Sequence, residues 1–302
     1  MSLYEFLGTI EVGFIFGLVA LGAFLSFRTL DFPDLTVEGS FPLGAAVAAT
    51  AIVGFGLHPW LATLAGAAAG LAAGFVTAFL NVRFGILHIL SGILVSISLY
   101  SVNLRIMAGP NKPLLGSRTV FADLSGLGWP TYMLSPLVVG AVVILVKLAL
   151  DRFMQTGIGL SMRAAGANPA MATANGIDVG RMRLLGISVA NGLTALAGAL
   201  FAQLFGAADA YMGLGVVITG LASVIVGTTI LPSRTIAQAT LACLAGALLY
   251  RLAVALALNT DFLGLQAADV QLVTALLVIL ALVAQSSRAG LGRLIGRRQA
   301  LQ

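Results

Sequence analysis

The chain has 302 residues, of which 59% are hydrophobic and only 9% are charged. An ordinary soluble domain is about a quarter charged, so this composition excludes one and indicates a protein that crosses a membrane several times. The net charge of +5 does not indicate nucleic-acid binding, because the basic residues lie mainly in loops and at the C-terminus, where membrane topology puts them.

Apolar runs close to the roughly 20 residues needed to cross hydrocarbon recur along the whole chain. We predict nine transmembrane segments, give or take one, at about 7–27, 41–57, 60–80, 86–107, 134–150, 184–205, 212–230, 236–258 and 270–284. No Lys or Arg precedes the first segment, so it lacks the basic start of a secretory signal and is expected to remain in the mature protein. The expected fold class is an all-α polytopic membrane protein, with residues 1–302 forming a single transmembrane domain.

The placement of Lys and Arg predicts an N-terminus outside and a C-terminus in the cytoplasm, because cytoplasmic loops retain these residues preferentially. In this orientation the cytoplasmic side collects Arg83, Arg152, Arg163, Arg181, Arg183, Arg288, Arg293, Arg297 and Arg298. The outer side keeps Arg105, Lys112 and Arg118. The reversed topology is the alternative, and it would place the basic tail, residues 286–302, outside.

Two stripes of small residues recur with a spacing of four. They are Gly66, Gly70 and Gly74 in the third segment and Gly186, Ala190, Thr194 and Gly198 in the sixth. Such stripes let transmembrane helices approach closely, so they predict a tightly packed bundle. The alternative is that a chain rich in Ala and Gly produces this spacing by chance.

Two polar interruptions, residues 28–40 and 227–235, separate apolar segments in the two halves of the chain. Broken helices at membrane depth survive only where protein or a water-filled cavity covers them, and a pair in corresponding halves indicates a transport path. The candidate path residues are Asp31, Phe32, Asp34, Thr36, Glu38, Ser40, Pro232 and Ser233. The three acids line the path, cap the start of the second segment, or lie in a solvated cytoplasmic turn.

The longest polar interruption, residues 157–183, is predicted to be a cytoplasmic loop. Within it Asn168 suits an N-cap, Pro169 suits the first helical position, and Gly176 suits a left-handed end, which together predict a short helix at about Pro169 to Asn175. A helix of two turns does not persist alone in water, so it requires a surface to lie on. The alternative is an ordinary connector that happens to be capped.

Three stretches carry a resemblance to a known family. Residues 34–40 read Asp-Leu-Thr-Val-Glu-Gly-Ser, residues 159–177 belong to the central loop, and residues 225–235 read Ile-Val-Gly-Thr-Thr-Ile-Leu-Pro-Ser-Arg-Thr. Over about residues 17–284 the chain resembles the integral-membrane permeases of ABC importers of the ribose and branched-chain-amino-acid type. It departs from that pattern by one extra residue, Glu38, and at Leu231, Pro232 and Thr235, where the family has a glycine-richer turn.

The resemblance implies a permease domain of the bacterial cytoplasmic (inner) membrane that pairs with a second permease, either a copy of itself or a sister protein. It implies two ATPase subunits inside and a periplasmic or extracellular solute-binding protein outside. The family's ATPase-docking loop matches residues 157–183, where the coupling residues are Arg163, Gly166, Asn168, Pro169, Met171, Ala172, Thr173, Asn175 and Gly176. The chain has no G-x-x-x-x-G-K-[ST] pattern, so no cofactor is expected on it, and ATP and Mg²⁺ are expected on the ATPases.

The leading functional hypothesis is ATP-driven import of a hydrophobic or aromatic amino acid, since the acids suit an ammonium group and Phe32 and Phe41 suit an apolar side chain. Alternatives are a sugar or nucleoside importer of the same type, or an ion-coupled secondary transporter or channel that uses the acids. An intramembrane enzyme is the weakest hypothesis, because His58, His88 and Cys243 form no metal or catalytic spacing and no catalytic residue stands out.

Overall fold

The computed structural model describes residues 3–122, 130–258 and the single positions 275, 276 and 279. Within these residues the elements are α1 (Leu3–Ala23), a π-helical segment (Phe24–Thr29), α2 (Val37–Phe55), α3 (Pro59–Phe84), α4 (His88–Met107), β1 (Asn111–Pro113), α5 (Thr131–Gln155), α6 (Gly157–Ala167), α7 (Pro169–Ala174), α8 (Val179–Phe205), β2 (Ala207–Asp209), α9 (Val216–Ile230) and α10 (Ile236–Leu258). Seven of these helices are long and apolar enough to cross a membrane, which confirms the all-α polytopic class.

The first eight predicted segments correspond to helices of the structure, and one of these helices is shorter than predicted. Segment seven was predicted to start at residue 212, but its helix α9 starts at Val216 and has only 15 residues. At about 1.5 Å per residue α9 is shorter than the hydrocarbon core. The ninth segment, 270–284, and the basic tail, 286–302, lie outside the described residues apart from the three single positions.

The bundle has two distinct ends, named here from their loops. The strand end carries the antiparallel pair β1–β2, in which Lys112 faces Ala208. The loop end carries α6 and α7, and there Val82 of α3 lies against Gly180 at the start of α8. The two predicted groups of basic residues separate accordingly, because Arg83 and Arg152 end helices at the loop end and Arg105 ends α4 at the strand end. Which end faces the cytoplasm remains a prediction.

The small-residue stripes are close helix contacts, as predicted. The stripe of α3 lies against α2 and α8, whereas the stripe of α8 lies against α1, Leu30 and α2. A methyl group on Gly66 would lie 2.7 Å from the carbonyl oxygen of Gly44, and one on Gly70 would lie 2.5 Å from that of Asn191. On α8, a methyl group on Gly198 would overlap the carbonyl oxygen of Phe41. Close backbone approach, rather than expulsion of water, therefore holds the centre of the bundle together.

A matched pair of glycines on α2 tests this packing. A methyl group on Gly44 would overlap the backbone carbonyl of Ala195, whereas one on Gly54 meets no atom closer than 3.8 Å. We expect Gly44→Ala to destabilise the protein by about 1–3 kcal/mol through overpacking. Gly54→Ala is expected to be neutral or slightly stabilising, because Ala favours a helix by up to about 1 kcal/mol over Gly. Thermal unfolding of the two purified variants in detergent measures the difference, and equal stability would contradict the packing argument.

Candidate functional site

The first interruption is narrower than the predicted range of 28–40. The helix continues to Thr29 as a π-helical segment, residues 30–36 form a linker, and α2 begins at Val37. Within the linker, Asp31 is exposed and has a left-handed backbone with φ of 50°. Phe32 is fully buried, with its ring centre 4.4 Å from that of His88 at the start of α4.

Asp34 is the centre of a buried polar network that joins the linker to α2, α3 and α8. Its Oδ1 accepts the backbone N–H of Thr36 at 2.9 Å, and its Oδ2 accepts Nδ2–H of Asn191 at 2.6 Å. Ser40 donates its hydroxyl to Oδ1 of the same Asn191 at 2.7 Å. Thr36 and Thr77 share a hydroxyl hydrogen bond of 2.7 Å. We call these five fully buried residues the Asp34 network.

The role of Asp34 follows from this geometry. The carboxylate accepts the N–H of Thr36, the residue just before α2, and so fixes the linker where it enters that helix without capping the helix itself. Its full burial excludes a solvated turn at this position. Burial raises the pKa of the Asp34 carboxyl above its ordinary value, while the hydrogen bonds from Thr36 and Asn191 act in the opposite direction. Asp34 therefore fixes the linker to the bundle, and it is not among the residues that line the cavity described below.

Glu38 occupies a different position, although it lies only four residues further along. It is half-buried in the first turn of α2, and its Oε1 accepts the backbone N–H of Gly215 at 3.3 Å. Residues 210–215 thus reach from the strand end to the start of α2, and α9 begins there. A methyl group on Gly213 would overlap the carbonyl oxygen of Glu38, so this approach requires glycine.

A cavity of about 200 Å³ opens beside Glu38, between α2, α4 and residues 210–215. Its polar lining includes Glu38, Ser96, Tyr100, Asn103 and Tyr211. The hydroxyls of Tyr100 and Tyr211 are hydrogen-bonded at 2.8 Å, and their ring centres are 5.6 Å apart. We call this space the Glu38 cavity.

The sequence reasoning identified Glu38 but missed the other polar residues of the cavity. A signal was available, because Ser96, Tyr100 and Asn103 recur at i, i+4 and i+7 and therefore share one face of α4. Tyr211 carried no comparable signal, since it lies in the turns that precede α9. Asn191, the amide of the Asp34 network, lies in α8 between the small-residue positions 190 and 194.

The two phenylalanines expected to face an apolar solute lie elsewhere. Phe32 and Phe41 are both fully buried, and neither is among the residues that line the Glu38 cavity. Phe41 belongs to an aromatic cluster, with its ring centre 5.9 Å from that of Phe16 and 5.5 Å from that of Phe201. Both side chains pack in the core of the protomer.

The second interruption is also narrower than predicted and lies at the loop end. The helix α9 continues to Ile230, so only residues 231–235 are non-helical, and all five are exposed. Gln238 accepts the backbone N–H groups of Arg234 and Thr235 through its Oε1 and so holds the start of α10. Pro232 and Ser233 are therefore apart from both the Asp34 network and the Glu38 cavity.

The short capped helix predicted in the central loop is present as α7, one residue shorter than expected. Asn168 accepts the N–H of Met171 through its side chain at 3.0 Å, and Pro169 is the first helical residue. Gly176 closes the helix with φ of 79°. Ala172 is the buried residue of α7, while Met171 is 65% exposed, so most of this helix remains available to a partner.

The helix α6 connects α7 to the linker. A methyl group on Gly166 would overlap the carbonyl oxygen of Thr29 and lie 2.9 Å from Cα of Leu30. Leu30 in turn packs on Gly186 of α8, beside the sulfur of Met162. The helix α6 is therefore in direct contact with the backbone that leads to the Asp34 network.

The helix bundle places this chain in the class of multi-pass membrane proteins. Its similarity to known proteins places it in one family within that class. Residues 6–283 match the family described as branched-chain amino acid transport system / permease component. The chain belongs to this permease family, which confirms the resemblance to permeases of ABC importers. No solved structure matches the chain significantly.

Three relatives show the range of the family. A tyrosine transport system permease protein of Clostridioides difficile is 37% identical over 88% of this chain and 86% of its own length. An uncharacterized protein of Rickettsia prowazekii is 33% identical over 87% of this chain and 91% of its own length. The ribose import permease protein RbsC of Escherichia coli is 28% identical over 65% of this chain and 60% of its own length.

Proposed function

We propose that this protein is the membrane-spanning subunit of an ATP-driven, binding-protein-dependent importer of an amino acid with an aromatic or hydrophobic side chain. The observation that carries the substrate class is the 37% identity with a tyrosine transport permease across most of both chains. Similarity to the ribose permease is lower and covers less of the chain, at 28% over 65%. An acidic cavity, which suits an ammonium group better than a neutral sugar, supports the same choice.

The energy for import comes from a separate polypeptide in this proposal. Two ATPase subunits carry ATP and Mg²⁺, a second copy of the permease completes the membrane unit, and a soluble binding protein delivers the solute. The complex lies in the bacterial inner membrane with the N-terminus outside and the C-terminus in the cytoplasm. Family membership and the lack of a phosphate-binding pattern in the sequence support a separate ATPase, and the distribution of Lys and Arg supports the orientation.

The central loop is the proposed docking site for the ATPase. The exposed residues of α7, together with its caps Asn168 and Asn175, suit a short helix seated in a groove of a partner. Arg163 and Thr173 are exposed on the same loop, and the buried Ala172 holds α7 against its own bundle. A groove that closes on α7 would pull α6 with it.

The path for the solute is proposed to pass the Glu38 cavity. Gly166 contacts Thr29, the linker from residue 30 leads to Asp34, and Asp34 holds the start of α2, which carries Glu38 in its first turn. This series of contacts connects the proposed docking loop to the cavity through the backbone. Movement of the loop end is therefore expected to change the width of the cavity.

Reconstituted transport tests the proposal. The permease is co-purified with its ATPase and binding protein, inserted into proteoliposomes, and supplied with ATP together with labelled tyrosine, leucine or ribose. We expect ATP-dependent accumulation of tyrosine. Accumulation of ribose alone would overturn the substrate class, and uptake that needs neither ATP nor the ATPase would overturn the proposed energy source in favour of an ion-coupled transporter.

A further inference from the structure

The Glu38 cavity is lined by hydrogen-bond acceptors that lack donors. Asn103 is fully buried in α4, and its Nδ2–H donates a hydrogen bond of 3.3 Å to the carbonyl oxygen of Gly39. Its Oδ1 is shielded from solvent and has no hydrogen-bond partner among the described residues. An unpaired buried acceptor of this kind costs about 1–3 kcal/mol, and a bound group that brings a donor within reach of it would recover that cost.

Glu38 adds further acceptor capacity to the same space. Its Oε1 takes the N–H of Gly215, and within the described part of the chain no residue donates to Oε2. Pro42, four residues along α2, has no N–H to offer the carbonyl oxygen of Glu38. The residues that line the cavity include no Lys, Arg or His, so none of them supplies a positive charge.

We propose that the Glu38 cavity is a substrate site of the permease itself and recognises a primary ammonium group. An ammonium group carries three donors and one positive charge, which matches a carboxylate beside an unpaired amide oxygen. This inference rests on the proposed function, because it takes the cavity to belong to the solute path.

The other residues that line the cavity indicate what kind of group the ligand carries besides its ammonium group. Ile97, Leu214 and Pro42 provide apolar surface, and the rings of Tyr100 and Tyr211 stand at 50° to each other beside it. Aromatic pairs of this type accept a further ring or an aliphatic chain. At about 200 Å³ the cavity is several times larger than the roughly 30 Å³ of one water, which suits an amine with a side chain better than a bare inorganic cation.

The substitution Glu38→Gln tests the contribution of the negative charge while it keeps the size and the hydrogen bond of the side chain. Glutamine keeps an oxygen that accepts the Gly215 N–H, so residues 210–215 stay attached while the negative charge is removed. Glu11→Gln is the matched control, since Glu11 is a buried glutamate of α1 that is hydrogen-bonded to Ser135 and does not line the cavity.

Saturation-transfer NMR on the full-length permease in lipid nanodiscs tests the proposal without ATPase or binding protein. The probes are tyramine, which has the ammonium group and no carboxylate, and 3-(4-hydroxyphenyl)propionate, which has the reverse. We expect tyramine to bind the native protein and the Glu11→Gln variant, and to bind the Glu38→Gln variant at least about tenfold more weakly. The propionate is expected not to bind.

Three results would overturn the inference: equal tyramine binding by the native and Glu38→Gln proteins, equal binding of the two probes, or displacement of tyramine by sodium but not by choline. The last would identify an inorganic-cation site. Binding is measured separately from transport, so the two proposals can fail independently. If the full complex takes up tyrosine but tyramine binds the native and Glu38→Gln proteins equally, only the ammonium site is contradicted. If tyramine binding requires the charge of Glu38 but the complex takes up no amino acid, only the proposed function is contradicted.

Discussion

Replacing Asn191 with leucine is expected to destabilise the protein by about 3 kcal/mol, because it leaves the carboxyl group of Asp34 buried without its amide partner. The same change removes the acceptor for the Ser40 hydroxyl. Leucine fills a similar volume, so the loss would reflect the broken polar contacts and not a cavity. Thermal unfolding in detergent and the yield of inserted protein measure the effect.

A charge-preserving exchange provides the control for this prediction. Asp34→Asn alone places an amide N–H₂ against a second donor, either the N–H₂ of Asn191 or the N–H of Thr36. Asn191→Asp alone places two carboxyl groups together. The double variant Asp34→Asn with Asn191→Asp restores one donor facing one acceptor and is expected to recover part of the lost stability. If the double variant were as unstable as the two losses added together, the Asp34–Asn191 bond would not be the stabilising contact.

Replacing Gly166 with valine is expected to abolish solute uptake while the protein still inserts and the ATPases still hydrolyse ATP. Any side chain at Gly166 overlaps the carbonyl oxygen of Thr29, so α6 and the linker must separate by more than an ångström. Packed interfaces switch between discrete arrangements rather than deforming continuously, so a shift of this size is expected to break transmission from α7. Uptake and ATP hydrolysis are measured on the same proteoliposomes.

Gly157 is the control for Gly166, since it lies on the same helix and a methyl group there meets no atom within 4 Å. Gly157→Val is expected to leave uptake unchanged. Substitution of Asn168 by a bulky residue removes the cap of α7 and is expected to uncouple the two activities in the same way as Gly166→Val. Normal uptake by the Gly166→Val variant would contradict the proposed route of coupling.

The features that could be predicted from the sequence depend on local chemistry. The length of an apolar run decides whether a helix spans the membrane, so the long helices were predicted to within a few residues at most ends. Capping depends on neighbours in the chain, so α7 was predicted from Asn168, Pro169 and Gly176. The spacing of Gly66, Gly70 and Gly74 predicted a close helix contact because four residues return to the same helical face.

The errors have equally specific causes. The predicted range of the first interruption, 28–40, began too early because a π-helical segment extends the first helix to Thr29. Helical turns of that type have no clear sequence signal. Segment seven was too long because residues 211–215 are apolar and yet form turns that enter the bundle. The chain composition does not distinguish an apolar helix from an apolar turn that other helices cover.

The sequence by itself determined the membrane class, most of the spans and the capped helix of the loop, since each depends on residues a few positions apart. Only the tertiary structure decided that Asp34 is buried against Asn191 and that Glu38 faces a cavity. Asp34 meets Asn191 across 157 positions, and Glu38 meets Gly215 across 177. These two acids, four residues apart in the chain, have different surroundings because burial depends on which distant segment packs against each one.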